Sequence, residues 1–169
     1  LPGDLGAGFV TGGSMANFAA LAAARHAVLE RLGWDVERDG LFGAPEVPVI
    51  VSEEAHSSIP KALGMLGLGR ERVIRIPADD QGRMRADLLP SMSGPAIVCT
   101  QAGNVNTGSL DPVGEIRDRL EGTGSWIHVD GAFGLWARAC PTRAHLLEGV
   151  EKADSWSTDA HKWLNTPYD

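Results

Sequence analysis

Short apolar runs, each ending in a polar cluster, constrain this chain more than any other feature. Val49-Ile50-Val51 empties into Ser52-Glu53-Glu54-Ala55-His56, and Ala96-Ile97-Val98-Cys99 into the polar loop 100–109. Trp126-Ile127-His128-Val129 ends in Asp130, and the run 153–157 leads to Thr158-Asp159-Ala160-His161-Lys162. These runs are of strand length, and segments with helical spacing separate them. That alternation predicts a mainly parallel sheet with helices on its faces, an α/β fold.

Between the runs, Gly8-Phe9-Val10-Thr11 reads as a further strand end leading into Gly12-Gly13-Ser14. A helix follows to about residue 32, with Phe18, Leu21, Ala22, Val28, Leu29 and Leu32 spaced by threes and fours and Gly33 as its stop. Residues 34–48, rich in Gly, Pro and charge, predict an exposed loop. A helix over 60–68 tolerates Pro60 in its first turn. A strand over 73–77 and a short helix over 86–92, interrupted by Pro90, come next. Asp111-Pro112 is expected to cap a helix reaching about residue 120. There is no internal repeat and no low-complexity tract.

At 169 residues the chain has the length of one domain with a sizeable core. A formal net charge of -7 with no basic stripe argues against a nucleic-acid surface. No apolar run approaches the roughly 20 residues needed to span a bilayer. Cys99 and Cys140 lie far apart and outside any metal-ligand pattern, so the default setting is reduced and cytoplasmic.

In open parallel sheets, ligands bind outside the carboxyl ends of the strands, and every polar cluster above falls there. Lys162 follows a strand and can form a Schiff base if part of its amine is unprotonated. Asp130 closes a neighbouring strand. A lysine and an acidic partner for a pyridinium nitrogen are what pyridoxal phosphate requires of a protein. Gly12-Gly13-Ser14 opens a helix and suits a phosphate, although the same triplet is an ordinary helix cap. His56 is either a surface-loop histidine or a ring stacked on an aromatic ligand. Taken alone, a His161-Lys162 pair is usually two solvated loop residues. His128, two residues before Asp130, sits deeper and is read as structural; His26 and His145 lie in helical segments.

The strings Thr11-Gly12-Gly13-Ser14-Met15-Ala16-Asn17, Ala55-His56-Ser57-Ser58, Asn106-Thr107-Gly108-Ser109-Leu110-Asp111-Pro112, His128-Val129-Asp130-Gly131-Ala132 and Asp159-Ala160-His161-Lys162-Trp163 occur in this order. Together they resemble the group II pyridoxal-phosphate decarboxylases, which include the aromatic-amino-acid, glutamate and histidine decarboxylases. The resemblance implies part of a fold-type I large domain, a homodimer, and decarboxylation of an L-amino acid to an amine and carbon dioxide. It implies Lys162 as the Schiff-base lysine, Asp130 as the partner of the pyridine nitrogen, His56 as the stacked ring, and Ala132 as the small residue beneath it. Gly13, Ser14 and His161 match phosphate-side positions. Where many members carry Gly-Thr-Thr this chain has Gly103-Asn104-Val105, so Asn104 is expected to replace a threonine near the cofactor. Asp159 stands where many members have Asn. A carboxylate there would repel a phosphate, so no direct contact between the two is expected.

Other fold-type I enzymes, such as a cysteine desulfurase or an aminotransferase, share the Asp and Lys, and a non-catalytic α/β binding domain would leave the lysine idle. The His56-Ser57-Ser58 context and the string around Lys162 favour the decarboxylase. The chain opens without Met and runs only seven residues past Lys162. It is therefore expected to be a fragment, without an N-terminal segment and a C-terminal small domain, and inactive by itself.

Overall fold

The computed structural model describes Gly3 and residues 5–167. Its order is α1 (Gly12–Arg31), α2 (Val36–Asp39), β1 (Val49–Ser52), α3 (Ser58–Met65), β2 (Ile74–Ile76), β3 (Ile97–Gln101), α4 (Val113–Arg119), β4 (Trp126–Asp130), β5 (Ser155–Ser157) and α5 (Ala160–Trp163). The five strands form one sheet in the order β2-β1-β3-β4-β5, and every pairing is parallel. From β1 the chain moves first to β2 on one side and then to β3 on the other. The direction of winding thus reverses at β1, which opens a crevice beyond the strand ends there.

Period-two alternation sorts the strands onto two apolar layers. Val49, Val51, Ile97 and Cys99 pack with Leu21, Ala24 and Val28 of α1 and with Ile59, Ala62 and Leu63 of α3. Ile50, Val98, Ile127 and Val129 face the other way, onto Val113 and Ile116 of α4 and onto Leu135 and Val150. A sheet covered on both faces explains why β1, β3 and β4 are buried along nearly their whole length, whereas the edge strands β2 and β5 are partly exposed. Helix α1 ends as its sequence predicts. Gly33 has φ 79°, Gly33 N–H donates to Glu30 O and Trp34 N–H to Leu29 O, the paired bonds of a Schellman motif.

The structure departs from the sequence expectations in five places. Within the expected loop 34–48, residues 36–39 form the short helix α2, with Val36 buried and the Asp35 carboxylate accepting from the N–H groups of Glu37 and Arg38. Residues 5–10 form no strand, and Phe9 is fully exposed. The helix expected over 86–92 shrinks to a single 3-10 turn, Ala86–Leu88, because Leu89 is already extended (φ -60°, ψ 132°) ahead of Pro90. Asp111 does not cap α4. Its carboxylate accepts from the backbone N–H groups of Met84 and Gln101, both at 2.7 Å, tying the 78–84 turn to β3. Lys162 lies on the short helix α5 rather than in a loop.

On β4 the side chains facing α1 are Trp126, His128 and Asp130. His128 is completely buried, with Nδ1 2.9 Å from Ser155 Oγ and Nε2 2.9 Å from Asn17 Oδ1. Burial pushes its imidazole down to about 4 from the ordinary 6.5. In the unfolded chain it takes up a proton first as pH falls. The stability owed to the neutral ring is therefore complete above about pH 6.5 and is lost as pH drops towards about 4. His128→Gln keeps an N–H for Asn17 and does not titrate. The stability gap between the wild type and this variant should shift in the variant's favour by up to about 3 kcal/mol between pH 7 and pH 4, read by urea unfolding. A gap that stays constant with pH would refute burial of the neutral ring.

Candidate active site

A cleft of about 550 Å³, counting its open mouth, lies at the carboxyl ends of the strands. Each wall comes from a different element. Gly13, Ser14 and Asn17 belong to the first turns of α1; His56 and Ser58 follow β1; Gln101, Gly103 and Val105 end β3; Asp130, Ala132 and Phe133 end β4; Asp159 and Lys162 follow β5. Parallel register produces this gathering, because Gln101 is level with Asp130, and Asp130 with Ser157.

Asp130 is buried, and both its oxygens are held by neutral donors. Asn17 Nδ2 donates to Oδ2 at 3.0 Å, and the Ala132 backbone N–H donates to Oδ1 at 3.2 Å. No cationic side chain is among these partners, so its charge remains directed at whatever enters the cleft. The turn that follows leaves no room for a side chain at residue 131. A Cβ there would stand 2.8 Å from Ser157 O and 2.6 Å from Leu135 Cβ, so only glycine fits.

Lys162 Nζ forms an ion pair with Asp159 Oδ2 at 3.1 Å and stands 5.9 Å from the centroid of the Phe133 ring. Asp159 is buried, and its carboxylate presses on the start of α1, where a Cβ on Gly13 would lie 2.8 Å from Oδ1. The Asp159 carboxylate is thus held between the lysine and the positive end of a 20-residue helix. Thr11 offers no side-chain hydrogen bond to that helix start, and no acidic residue lies in the first turn. Gly12 N–H donates to Val10 O, and the Asp159 carboxylate already lies against this end, so a phosphate dianion seated on the remaining N–H groups beside Ser14 would have to displace that carboxylate or stand next to it. His56 is exposed over the cleft. Its Nδ1 accepts from the Ser58 backbone N–H at 3.3 Å and lies 2.8 Å from Ser58 Oγ, which fixes the ring's orientation.

Of the expected residues, Gly13, Ser14, His56, Asp130, Ala132 and Lys162 line this one cleft. Two expected residues stand apart. Asn104 is buried and turned into its own loop, where Oδ1 accepts from the N–H groups of Asn106 and Thr107 and Nδ2 donates to Glu54 O. Its neighbour Val105 lines the cleft instead. His161 sits on α5 outside the lining. Sequence reasoning missed Asn17, Ser58 and Ser157. The available signal was an amide at residue 17, on the same helical stripe as the buried Leu21, Ala24 and Val28.

An amine and a shielded carboxylate face one cleft, next to an uncapped helix start and a fixed imidazole. That set of groups fits a phosphorylated pyridine aldehyde. Comparison with known proteins agrees. The pyridoxal-dependent decarboxylase conserved domain matches residues 3–169. An aromatic-L-amino-acid decarboxylase of Bacillus atrophaeus is 34% identical over 169 residues, 95% of this chain and 33% of that protein. An aspartate 1-decarboxylase of Aliivibrio fischeri is 35% identical over 180 residues, 97% of this chain and 33% of that protein. The crystal structure of Oryza sativa TDC with PLP and tryptamine superimposes with a TM-score of 0.82 at 32% identity, covering 95% of this chain and 34% of that one. The chain thus spans about a third of the length of the relatives it matches. With its five-stranded parallel sheet, its lysine-bearing cleft and a family match over nearly its whole length, this chain belongs to the pyridoxal-dependent decarboxylase family, of fold-type I.

Proposed function

We propose that residues 1–169 form part of the cofactor-binding large domain of a pyridoxal-phosphate-dependent enzyme that decarboxylates an L-amino acid to an amine and carbon dioxide. The observation that carries this reading is that Lys162 and Asp130, delivered by the neighbouring strands β5 and β4, line one cleft beside the start of α1, which has no side-chain cap. Family membership, with relatives named for amino-acid decarboxylation, supports the reaction class. Pyridoxal phosphate, when bound, supplies a conjugated ring that takes up the electron pair left on Cα as carbon dioxide departs.

The chain's own residues divide the remaining work. Lys162 provides the amine for covalent attachment. Asp159 holds that amine beside the helix start until it is needed. Asp130 keeps a proton on the pyridine nitrogen through a charge-assisted hydrogen bond, which preserves the ring's electron demand. His56 covers one ring face, and Ala132 leaves room on the other. The first N–H groups of α1 and the Ser14 hydroxyl hold the phosphate, with Gly13 letting the backbone come close. Exposed apolar side chains such as Phe9, Met65 and Trp163 support a homodimer in the full-length protein. Free thiols at Cys99 and Cys140 support a cytoplasmic setting.

Borohydride reduction of the full-length holoenzyme, followed by peptide mapping, should place the cofactor on Lys162. Label on Lys61 or Lys152 would overturn the assignment. Asp130→Asn keeps the shape but removes the charge that stabilises the protonated nitrogen. Its kcat should fall by roughly a hundredfold or more, the scale of a lost preorganised electrostatic contact. Activity within about twofold of wild type, near 0.4 kcal/mol on the barrier, would exclude this role for Asp130.

A further inference from the structure

The buried face of α1 carries one polar residue where the helical stripe calls for an apolar one. Asn17 is 1% exposed and continues the stripe of Leu21, Ala24 and Val28. Burying an amide is costly unless its hydrogen bonds are made. Here all are made. Nδ2 donates to Asp130 Oδ2 at 3.0 Å and to Ser58 Oγ at 2.9 Å, while Oδ1 accepts from Ser157 Oγ at 2.6 Å and from His128 Nε2 at 2.9 Å. Those four contacts use the whole capacity of a carboxamide.

Asp130 determines which way the amide faces. A carboxylate only accepts, so the NH2 group must point at it and the carbonyl must point at His128 and Ser157. His128 must then carry its proton on Nε2 and accept at Nδ1 from the Ser155 hydroxyl. The Ser155 oxygen in turn accepts from Trp126 Nε1 at 2.8 Å. Every bond from Trp126 through Ser155, His128 and Asn17 to Asp130 therefore donates in the same direction, ending on the carboxylate. Hydrogen bonds in such a chain polarise one another. A branch from the same NH2 group runs through Ser58 to His56 Nδ1.

We propose that Asn17 is the positioning residue of this cleft, the single side chain that orients the Asp130 carboxylate and the His56 ring together. The proposal rests on the reading of the cleft as a pyridoxal-phosphate site. Asn17 acts through its neighbours. It delivers a neutral N–H to Asp130, which holds the carboxylate in one rotamer and leaves its charge uncancelled for the pyridinium. A Lys or Arg at the same place would orient Asp130 equally well and neutralise it.

Asn17→Asp tests this in the full-length enzyme, because it is nearly isosteric and keeps the acceptor for His128 and Ser157. It replaces the NH2 group with an oxygen facing Asp130, so the two carboxylates must share a proton to coexist. The titratable groups facing this node are Asp130 and His128 of β4, Cys99 of β3, His56 ahead of α3, Asp159 ahead of α5 and Lys162 on it. His128 and Cys99, held at about 4 and about 12, do not change state between pH 6 and 8.

Equilibrium binding of pyridoxal phosphate at pH 8 should be weaker than in wild type by about tenfold or more, and should recover as pH falls to 6 and the shared proton returns. The kcat should follow the same altered pH profile. Affinity and profile within about twofold of wild type at both pH values would overturn the proposal. If Asn17→Asp does not fold, Asn17→Ser, which leaves space for water, is judged by its affinity for pyridoxal phosphate at pH 8 on the same twofold criterion. Failure of the wild-type enzyme to bind pyridoxal phosphate would instead refute the reading of the cleft, so the two failures are distinguishable.

Discussion

Level pairing of β4 with its two neighbours is the constraint on which the rest of this structure depends. Parallel hydrogen bonding aligns Gln101, Asp130 and Ser157 in one row at the strand ends. Beyond that row the chain must turn, and each turn delivers a different chemical group to the same opening. The reversal of winding at β1 keeps the opening clear of a crossover. Chemistry at this edge is thus a product of topology first, and of side-chain identity second.

The electrostatics of the opening follow from what lies beneath it. Two carboxylates, Asp130 and Asp159, line the same cleft as the Lys162 amine, and each is held differently. Asp159 is matched by a charged partner and a helix start, whereas Asp130 is matched only by neutral N–H groups. One negative charge is therefore largely spent inside the protein, and the other remains available to a ligand. Cys99, behind Asp130, is pushed up to about 12 by burial and by that carboxylate, so its thiol adds no competing charge.

Local patterns reveal those parts of the fold that local forces determine. The apolar runs at 49–51, 96–99 and 126–130 are strands because strand burial is written into consecutive residues, and α1 stops at Gly33 because a left-handed residue is needed there. Phe9 and Val10 look alike in sequence terms, yet no strand pairs with them, and pairing is not a local property. Asp111 stands at a helix start and reads as a cap, but its donors come from Met84, 27 residues earlier, and Gln101, 10 residues earlier. Asn17 is the extreme case, since its side-chain partners lie 41 to 140 residues away. The lining of the candidate cleft was legible at Lys162, Asp130, His56 and the α1 start because each closes or follows a recognisable element. What holds these groups in place was not legible, because it consists entirely of contacts between elements.

The turn at Gly131 also bears on how a chain of this kind can change over time. One obstacle to a side chain there is Leu135, which a smaller residue could remove; the other is Ser157 O, a main-chain atom that no substitution can delete. A mutation at Gly131 therefore has no second-site remedy.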